Sequence, residues 1–272
     1  MNKKDTGTDC GAPQLITMLT DFGIKDPFVG VMKGVIHGIH PAARTIDLTH
    51  EVPPQDVRSG SFMLLCAYRY FPPGTVHLAV VDPGVGTERR ALVIATNRHL
   101  FVGPDNGILT WAALDDGIRF SVSITNDEYL LPQPSTTFHG RDVFAPAAAH
   151  LCRGVNPEDL GGKIDDVLML DFPHPEIHSA SRIVGAVIHT DRFGNLITNV
   201  RLTDDERARV TKVKLKNVSI PGISITYMDG DPGEPLALVG SSGFVEIACS
   251  QSSAAFILGA HRDDEVIFDL ED

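Results

Sequence analysis

Residues 15–41 read LITMLTDFGIKDPFVGVMKGVIHGIHP, and this stretch decides the fold class. Residues 15–19 are a short apolar run that ends in Thr20-Asp21-Phe22-Gly23, the punctuation expected where a buried strand runs into a loop. Asp26 and Pro27 then supply a helix N-cap and a proline for the first helical position. From there Phe28, Val31, Met32, Val35, Ile36 and Ile39 recur at the three-to-four spacing of an amphipathic helix. His40-Pro41 ends it, because the residue before a proline is driven out of the helical region. Strand, loop, helix is the opening unit.

The alternation continues with a strand at 45–48 and a helix around 56–70. After Pro72-Pro73-Gly74 come 76–81 and 91–96, short runs rich in β-branched residues that read as buried strands, and a further helix is expected near 142–152. This predicts an α/β sandwich over residues 14–172. Residues 1–13 are rich in small and charged residues and read as a flexible lead-in, while 173–181, with its prolines and little apolar content, reads as a linker. Beyond it, 183–188, 195–200, 212–220, 223–227, 236–239, 244–249 and 265–269 are strand-like segments separated by Gly, Pro and Asp turns. A smaller, mostly β second domain over 182–272 follows.

With 272 residues, 43% of them apolar, the chain can bury one full core and has length for a second. No run of about 18 apolar residues occurs and the start, MNKKDTGTDC, lacks the apolar stretch of a signal peptide, so a cytoplasmic protein with no membrane partner is expected. Cys10, Cys66, Cys152 and Cys249 are widely spaced and form no CxxC pair, which suggests neither a disulfide framework nor a zinc site. Lys plus Arg number 23 against 35 Asp plus Glu, and this net charge of −12 without a basic block argues against a nucleic-acid partner.

Open α/β sheets bind ligands in the crevice beyond the carboxyl ends of their strands, and three residues fall at such places. Asp21 follows the first strand, Asp82 follows the third in VVDPGVGTERR, and His139 stands in TTFHGRDVFAP just before a helix. Asp82 opens a loop whose two glycines let backbone approach a ligand, and Arg89, seven residues on, can bring a guanidinium to the carboxylate. A DPG turn carrying a structural ion pair accounts for the same residues, and GVGTERR lacks the ending of a phosphate-binding loop. His139 can equally be a helix-leading histidine of structural use, since spacing alone does not bring it to Asp82.

In DRFGN, residues 191–195, turn chemistry explains Asp191, Gly194 and Asn195. A functional alternative is a nucleoside or amino-acid headgroup stacked on Phe193 and hydrogen-bonded by Asp191 and Asn195. In SSGFVEIA, residues 241–248, Glu246 is a lone acid among apolar neighbours, costly if buried unpaired and harmless if it points to solvent. The 11 histidines include no HxH or HExxH pattern, so no metal site is expected.

Six ordered motifs, TDFG at 20–23, VDPGVGTERR at 81–90, GPDNG at 103–107, FHGRDVFAP at 138–146, DRFGN at 191–195 and SSGFVEIA at 241–248, together resemble the S-adenosyl-L-methionine hydroxide adenosyltransferases. These are relatives of the fluorinating and chlorinating enzymes that attack the same substrate with halide. The resemblance implies an α/β amino-terminal domain, a β-barrel-like carboxyl-terminal domain, and hydrolysis of S-adenosyl-L-methionine to adenosine and L-methionine without a cofactor or metal. It also implies a homotrimer, with substrate between the first domain of one subunit and the second domain of its neighbour. Carried over by motif, the water-handling triad falls on Asp82, Arg89 and His139, and the ribose-diol carboxylate on Asp21. Asp191 and Asn195 would hold the methionine end or neighbouring polar groups, Phe193 would pack on the ligand, and Ser241 and Glu246 would line the second-domain side. The halogenating relatives carry tryptophan where this chain has Gln55 and tyrosine where it has Asp82, departures that favour water over halide. A halide-using adenosyl transferase and a non-catalytic S-adenosyl-L-methionine or adenosine binding protein remain the alternatives.

Overall fold

The computed structural model describes residues 14–271, so the expected lead-in and Cys10 lie outside the described residues. The chain divides between Leu170 and Asp171 into two compact units. Among the described residues no helix is long and apolar enough to cross a membrane.

The first unit is built on seven strands: β1 (Leu15–Thr20), β2 (Arg44–Thr49), β3 (Val76–Val80), β4 (Ala91–Thr96), β5 (Leu100–Pro104), β6 (Ile118–Ser123) and β7 (Lys163–Ile164). Their order is β2-β1-β3-β5-β4-β6-β7. The β2-β1-β3-β5 half is parallel, and β4, β6 and β7 add an antiparallel half. Helices α1 (Phe28–Ile39), α2 (Val57–Ala67), α3 (Thr110–Asp116) and α4 (Ala145–Cys152) cover it. α1 and α4 pack over the face that carries Ile16, Met18, Leu78, Val80 and Val102. α2 and α3 pack on each other, and Tyr68, in the 3-10 turn after α2, meets Phe101 from the opposite face of β5. The result is the α/β sandwich that the alternation predicts.

Some local expectations need correction. Pro27, not Asp26, occupies the N-cap position of α1, and no side chain caps this helix. The helix buries Val29, Met32 and Ile36, whereas Phe28 and Val31 stay exposed. Phe28 instead turns its ring to Phe22 and Phe138, with centroids 5.9 and 5.2 Å away.

The strand ladders of the second unit are all antiparallel among the described residues. β9 (Arg182–Thr190), β10 (Leu196–Thr198), β11 (Val210–Leu215), β12 (Val218–Pro221), β13 (Pro235–Val239), β14 (Val245–Cys249) and β15 (Glu265–Leu270) run in the order β12-β11-β15-β9-β10-β14-β13. A bridge between Ser224 and Leu238 brings the chain after β12 against β13, the strand at the far end of the order, so the sheet nearly closes into a barrel. Its interior is filled by Val187, Leu196, Val213, Ile247, Val266 and Phe268. Helix α5 (Asp204–Arg209) starts on a capping box of Thr203 and Glu206, and α6 (Ala254–Leu258) follows β14.

The stretch read as linker contains β8 (Glu176–Ser179), an exposed edge strand on β9. Residues 212–220, read as one strand, form the β11–β12 hairpin because Lys216 takes a left-handed conformation at φ 53°. Residues 223–227, also read as a strand, lie largely in a turn in which the Asp229 carboxylate accepts from the Ile225 and Thr226 amides.

Candidate active site

β3 delivers Asp82 beyond its carboxyl end, and the loop that follows closes on itself through Val85 N–H to Asp82 O and Thr87 N–H to Gly84 O. Gly86 sits at φ +77°, and a Cβ there would collide with the Thr136 carbonyl, so only glycine lets this loop lie against residue 136. The turn returns Arg89 onto Asp82: Nε donates to Oδ1 at 2.9 Å and Nη2 to Oδ2 at 2.5 Å, a forked pair with both side chains almost buried. Arg89 Nη2 also lies 2.7 Å from His139 Nδ1, and its guanidinium stands over the Phe144 ring.

His139 precedes a π-helical turn, Gly140–Phe144, that runs directly into α4. Burial, and then the Arg89 charge, push its imidazole below the ordinary value, so the ring is neutral near pH 7. Because a guanidinium can only donate, Nδ1 accepts and the ring proton sits on Nε2. Asp82 and His139 line a cavity of about 120 Å³ whose apolar wall includes Phe22, Phe28, Val85 and Phe138.

Asp21 stands at the end of the neighbouring strand β1. Thr20 Oγ1 and His50 Nδ1 are 2.9 Å apart and the Gly23 amide donates to His50 O, which clasps the loops after β1 and β2 together. That clasp brings the Gln55 amide to Asp21 Oδ2 at 2.8 Å.

The five candidates of the second unit converge on one cavity of about 740 Å³, lined by Asp191, Phe193, Asn195, Ser241 and Glu246 and by Tyr227, Cys249, Gln251, Ser252 and Ser253. Asp191 does the turn's work: Oδ1 accepts from the Phe193 and Asn195 amides and Oδ2 from Asn195 Nδ2. Phe193 is left 77% exposed, its ring unpacked. Glu246 does not point to solvent. It is buried, lies across the Cα of Gly240, and accepts a 2.8 Å hydrogen bond from the Tyr227 hydroxyl. Burial and the nearby Asp191 charge raise its carboxyl above the ordinary value. Tyr227 escaped sequence reasoning because it closes a run that reads as a strand. Among the described residues the cavity lining holds two carboxylates and no basic side chain, which suits a cationic ligand.

Asp82, Arg89 and His139 thus form one connected group, with Asp21 on the adjacent strand, and the other five residues form a second group in the second unit. Among the described residues, no group of three or more His, Cys, Asp and Glu side chains is placed to hold a metal ion.

The family described as SAM hydroxide adenosyltransferase matches this chain through its N-terminal domain at residues 16–161 and its C-terminal domain at 185–267. The chain belongs to the SAM hydroxide adenosyltransferase family. All nine candidate residues lie inside the two matched ranges. Within the SAM hydroxide adenosyltransferases and their relatives, the (R)-S-adenosyl-L-methionine hydrolase of Salinispora tropica is 40% identical over 92% of this chain and 96% of its own. A fluorinase of Nocardia brasiliensis is 26% identical over 92% of this chain and 94% of its own. The crystal structure of an uncharacterized conserved protein from Thermotoga maritima superposes with a TM-score of 0.85 at 40% identity, covering 93% of this chain and 99% of that one.

Proposed function

We propose that this protein hydrolyses (R)-S-adenosyl-L-methionine to adenosine and L-methionine, by in-line attack of water on ribose C5′. The observation that carries the reading is the single guanidinium of Arg89 joining Asp82 to His139 beside a cavity at the carboxyl end of β3. The C5′–O bond forms as the C5′–S bond breaks, and its electron pair leaves on sulfur as the neutral thioether of methionine. The water proton passes to the Asp82 carboxylate and then to solvent. Arg89 balances the Asp82 charge, while the His139 Nε2–H orients the water by donating to its oxygen. Both stabilise the hydroxide character that develops. The sulfonium is its own leaving group, so the reaction requires no metal or cofactor.

Asp21 binds the ribose diol. Asp191 and Asn195 hold the methionine end, Phe193 packs on the ligand, and Ser241 and Glu246 line the second unit's side. The two carboxylates of that cavity supply the charge a sulfonium and an ammonium need. The working form is a cytoplasmic homotrimer in which the first unit of one copy and the second unit of a neighbour share a substrate. Exposed Ile24 and Phe28 near the first group, and exposed Phe193 and Phe256 on the second unit, support a further protein surface over each. The higher identity to the hydrolase than to the fluorinase, and the carboxylate at position 82, favour water over halide.

The test is incubation with each sulfonium epimer in ¹⁸O-labelled water with EDTA and excess chloride, followed by mass spectrometry. Adenosine labelled at its 5′ oxygen with unlabelled methionine supports the reading. 5′-Chloro-5′-deoxyadenosine would move it to a halide-using transferase, and intact substrate recovered in a tight complex to a binding protein.

A further inference from the structure

Gln55 occupies the left-handed region at φ 66°, where a residue with a Cβ gives up conformational stability unless its surroundings dictate the conformation. Here they do. Pro53 and Pro54 fix the approach, and the Asp56 amide donates back to Pro53 O while the Val57 amide donates to Gln55 O. Asp56 then caps α2 by accepting from the Ser59 amide, so residue 55 is held between a rigid diproline and a helix start. The conformation aims one group: the Gln55 N–H, at 2.8 Å from Asp21 Oδ2. The side chain itself is exposed.

We propose that Gln55 is a positioning residue for ribose recognition, acting through its backbone N–H on the Asp21 carboxylate. This rests on the reading of Asp21 as the diol-binding group. A carboxylate that receives two vicinal hydroxyls must present its oxygens in a fixed plane, and a half-buried aspartate just past a strand end can still rotate about its side-chain torsions unless something holds it. The Gln55 amide occupies one lone pair of Oδ2, fixes the plane, and leaves Oδ1 and the remaining Oδ2 lone pair for the two hydroxyls. The duty belongs to the main chain. Gln55→Gly, which tolerates positive φ and keeps the N–H, retains ribose recognition, whereas β-branched Gln55→Val weakens it.

The decisive experiment replaces the Gln55 amide by an ester in the full-length protein, through the α-hydroxy analogue of glutamine, and measures binding of adenosine and of 2′,3′-dideoxyadenosine by calorimetry. Melting temperature confirms folding, and Asp21→Asn and Gln55→Gly run alongside. The expected result is a roughly tenfold loss for adenosine, the scale of one hydrogen bond to a charged group, with the dideoxy ligand within twofold of wild type and Gln55→Gly close to wild type on both. If the ester weakens neither ligand, or both equally, while Asp21→Asn weakens adenosine alone, the positioning role is overturned and the reading of Asp21 stands. If Asp21→Asn leaves adenosine binding unchanged, the diol reading falls and the inference falls with it.

Discussion

Arg89 Nη2 lies 2.7 Å from His139 Nδ1, so the cation that forks onto the Asp82 carboxylate also fixes which imidazole nitrogen carries the proton. In the proposed reaction this arrangement divides the labour. Asp82 can take a proton, while His139 in its neutral form can only give a hydrogen bond at Nε2.

Asp82→Asn keeps the shape of the side chain and removes the proton acceptor. Turnover of S-adenosyl-L-methionine is expected to fall by roughly 10²–10⁴ while substrate affinity stays within a few fold. Single-turnover kinetics beside equilibrium binding separate the two, and unchanged turnover would remove Asp82 from the chemistry.

The pH profile of turnover reports on His139. Burial and Arg89 depress its pKa, so the active neutral ring persists below the ordinary 6.5, and any acid limb attributable to this residue lies at lower pH than that. An acid limb centred above 6.5 that vanishes in His139→Asn would contradict the geometry.

Glu246 makes an opposite prediction about stability. Its carboxyl is raised by burial, so the protonated form is favoured in the fold: that contribution is complete below the ordinary 4.5 and is lost as pH rises through the folded value. Glu246→Gln, neutral at all pH, is therefore expected to gain more melting temperature over wild type at pH 8 than at pH 4. Tyr227→Phe removes the hydrogen bond donated to Glu246 Oε2 and is expected to cost about 1–3 kcal/mol at neutral pH by urea denaturation.

His77 sits in the core of the first unit, its Nδ1 2.7 Å from Thr17 Oγ1 and its ring 4.9 Å from that of His99. Burial, with a smaller push from His99, takes its pKa down to about 3. An unfolded chain binds that proton near 6.5, so stability is full above 6.5 and is lost as pH falls toward 3, by up to about 1.4 kcal/mol per pH unit for one proton. His77→Gln keeps a partner for Thr17 and cannot titrate. Denaturation midpoints measured from pH 7 to 4 are expected to fall less steeply in this variant, and parallel slopes would place the acid sensitivity elsewhere.

What the sequence discloses here is local. The strand ends that carry Asp21 and Asp82 are marked by apolar runs stopping at polar and glycine residues, and 91–96 coincides with β4 because a run of small and β-branched residues has clear borders. The pairings are different. Arg89 and His139 are 50 positions apart, and only the return of the loop after β3 against the start of the π-helical turn joins them. Their association was legible through likeness to a family, not through spacing. β5, α3 and β6 were unread because a five-residue strand, a seven-residue helix and a half-exposed strand give weak periodicity. Asp191 bears out the turn reading: its carboxylate is committed to the turn, and the same turn places it on the cavity wall.

The clasp between Asp21 and residue 55 comes from main chain at a position whose side chain faces outward. Exchange of that side chain for another unbranched at Cβ leaves the clasp in place so long as the diproline and the helix start persist. Two homologues with different side chains unbranched at Cβ can therefore keep the same grip, and drift among such side chains is silent. Genetic tolerance at residue 55 measures the freedom of its side chain and says nothing of the duty done by its backbone.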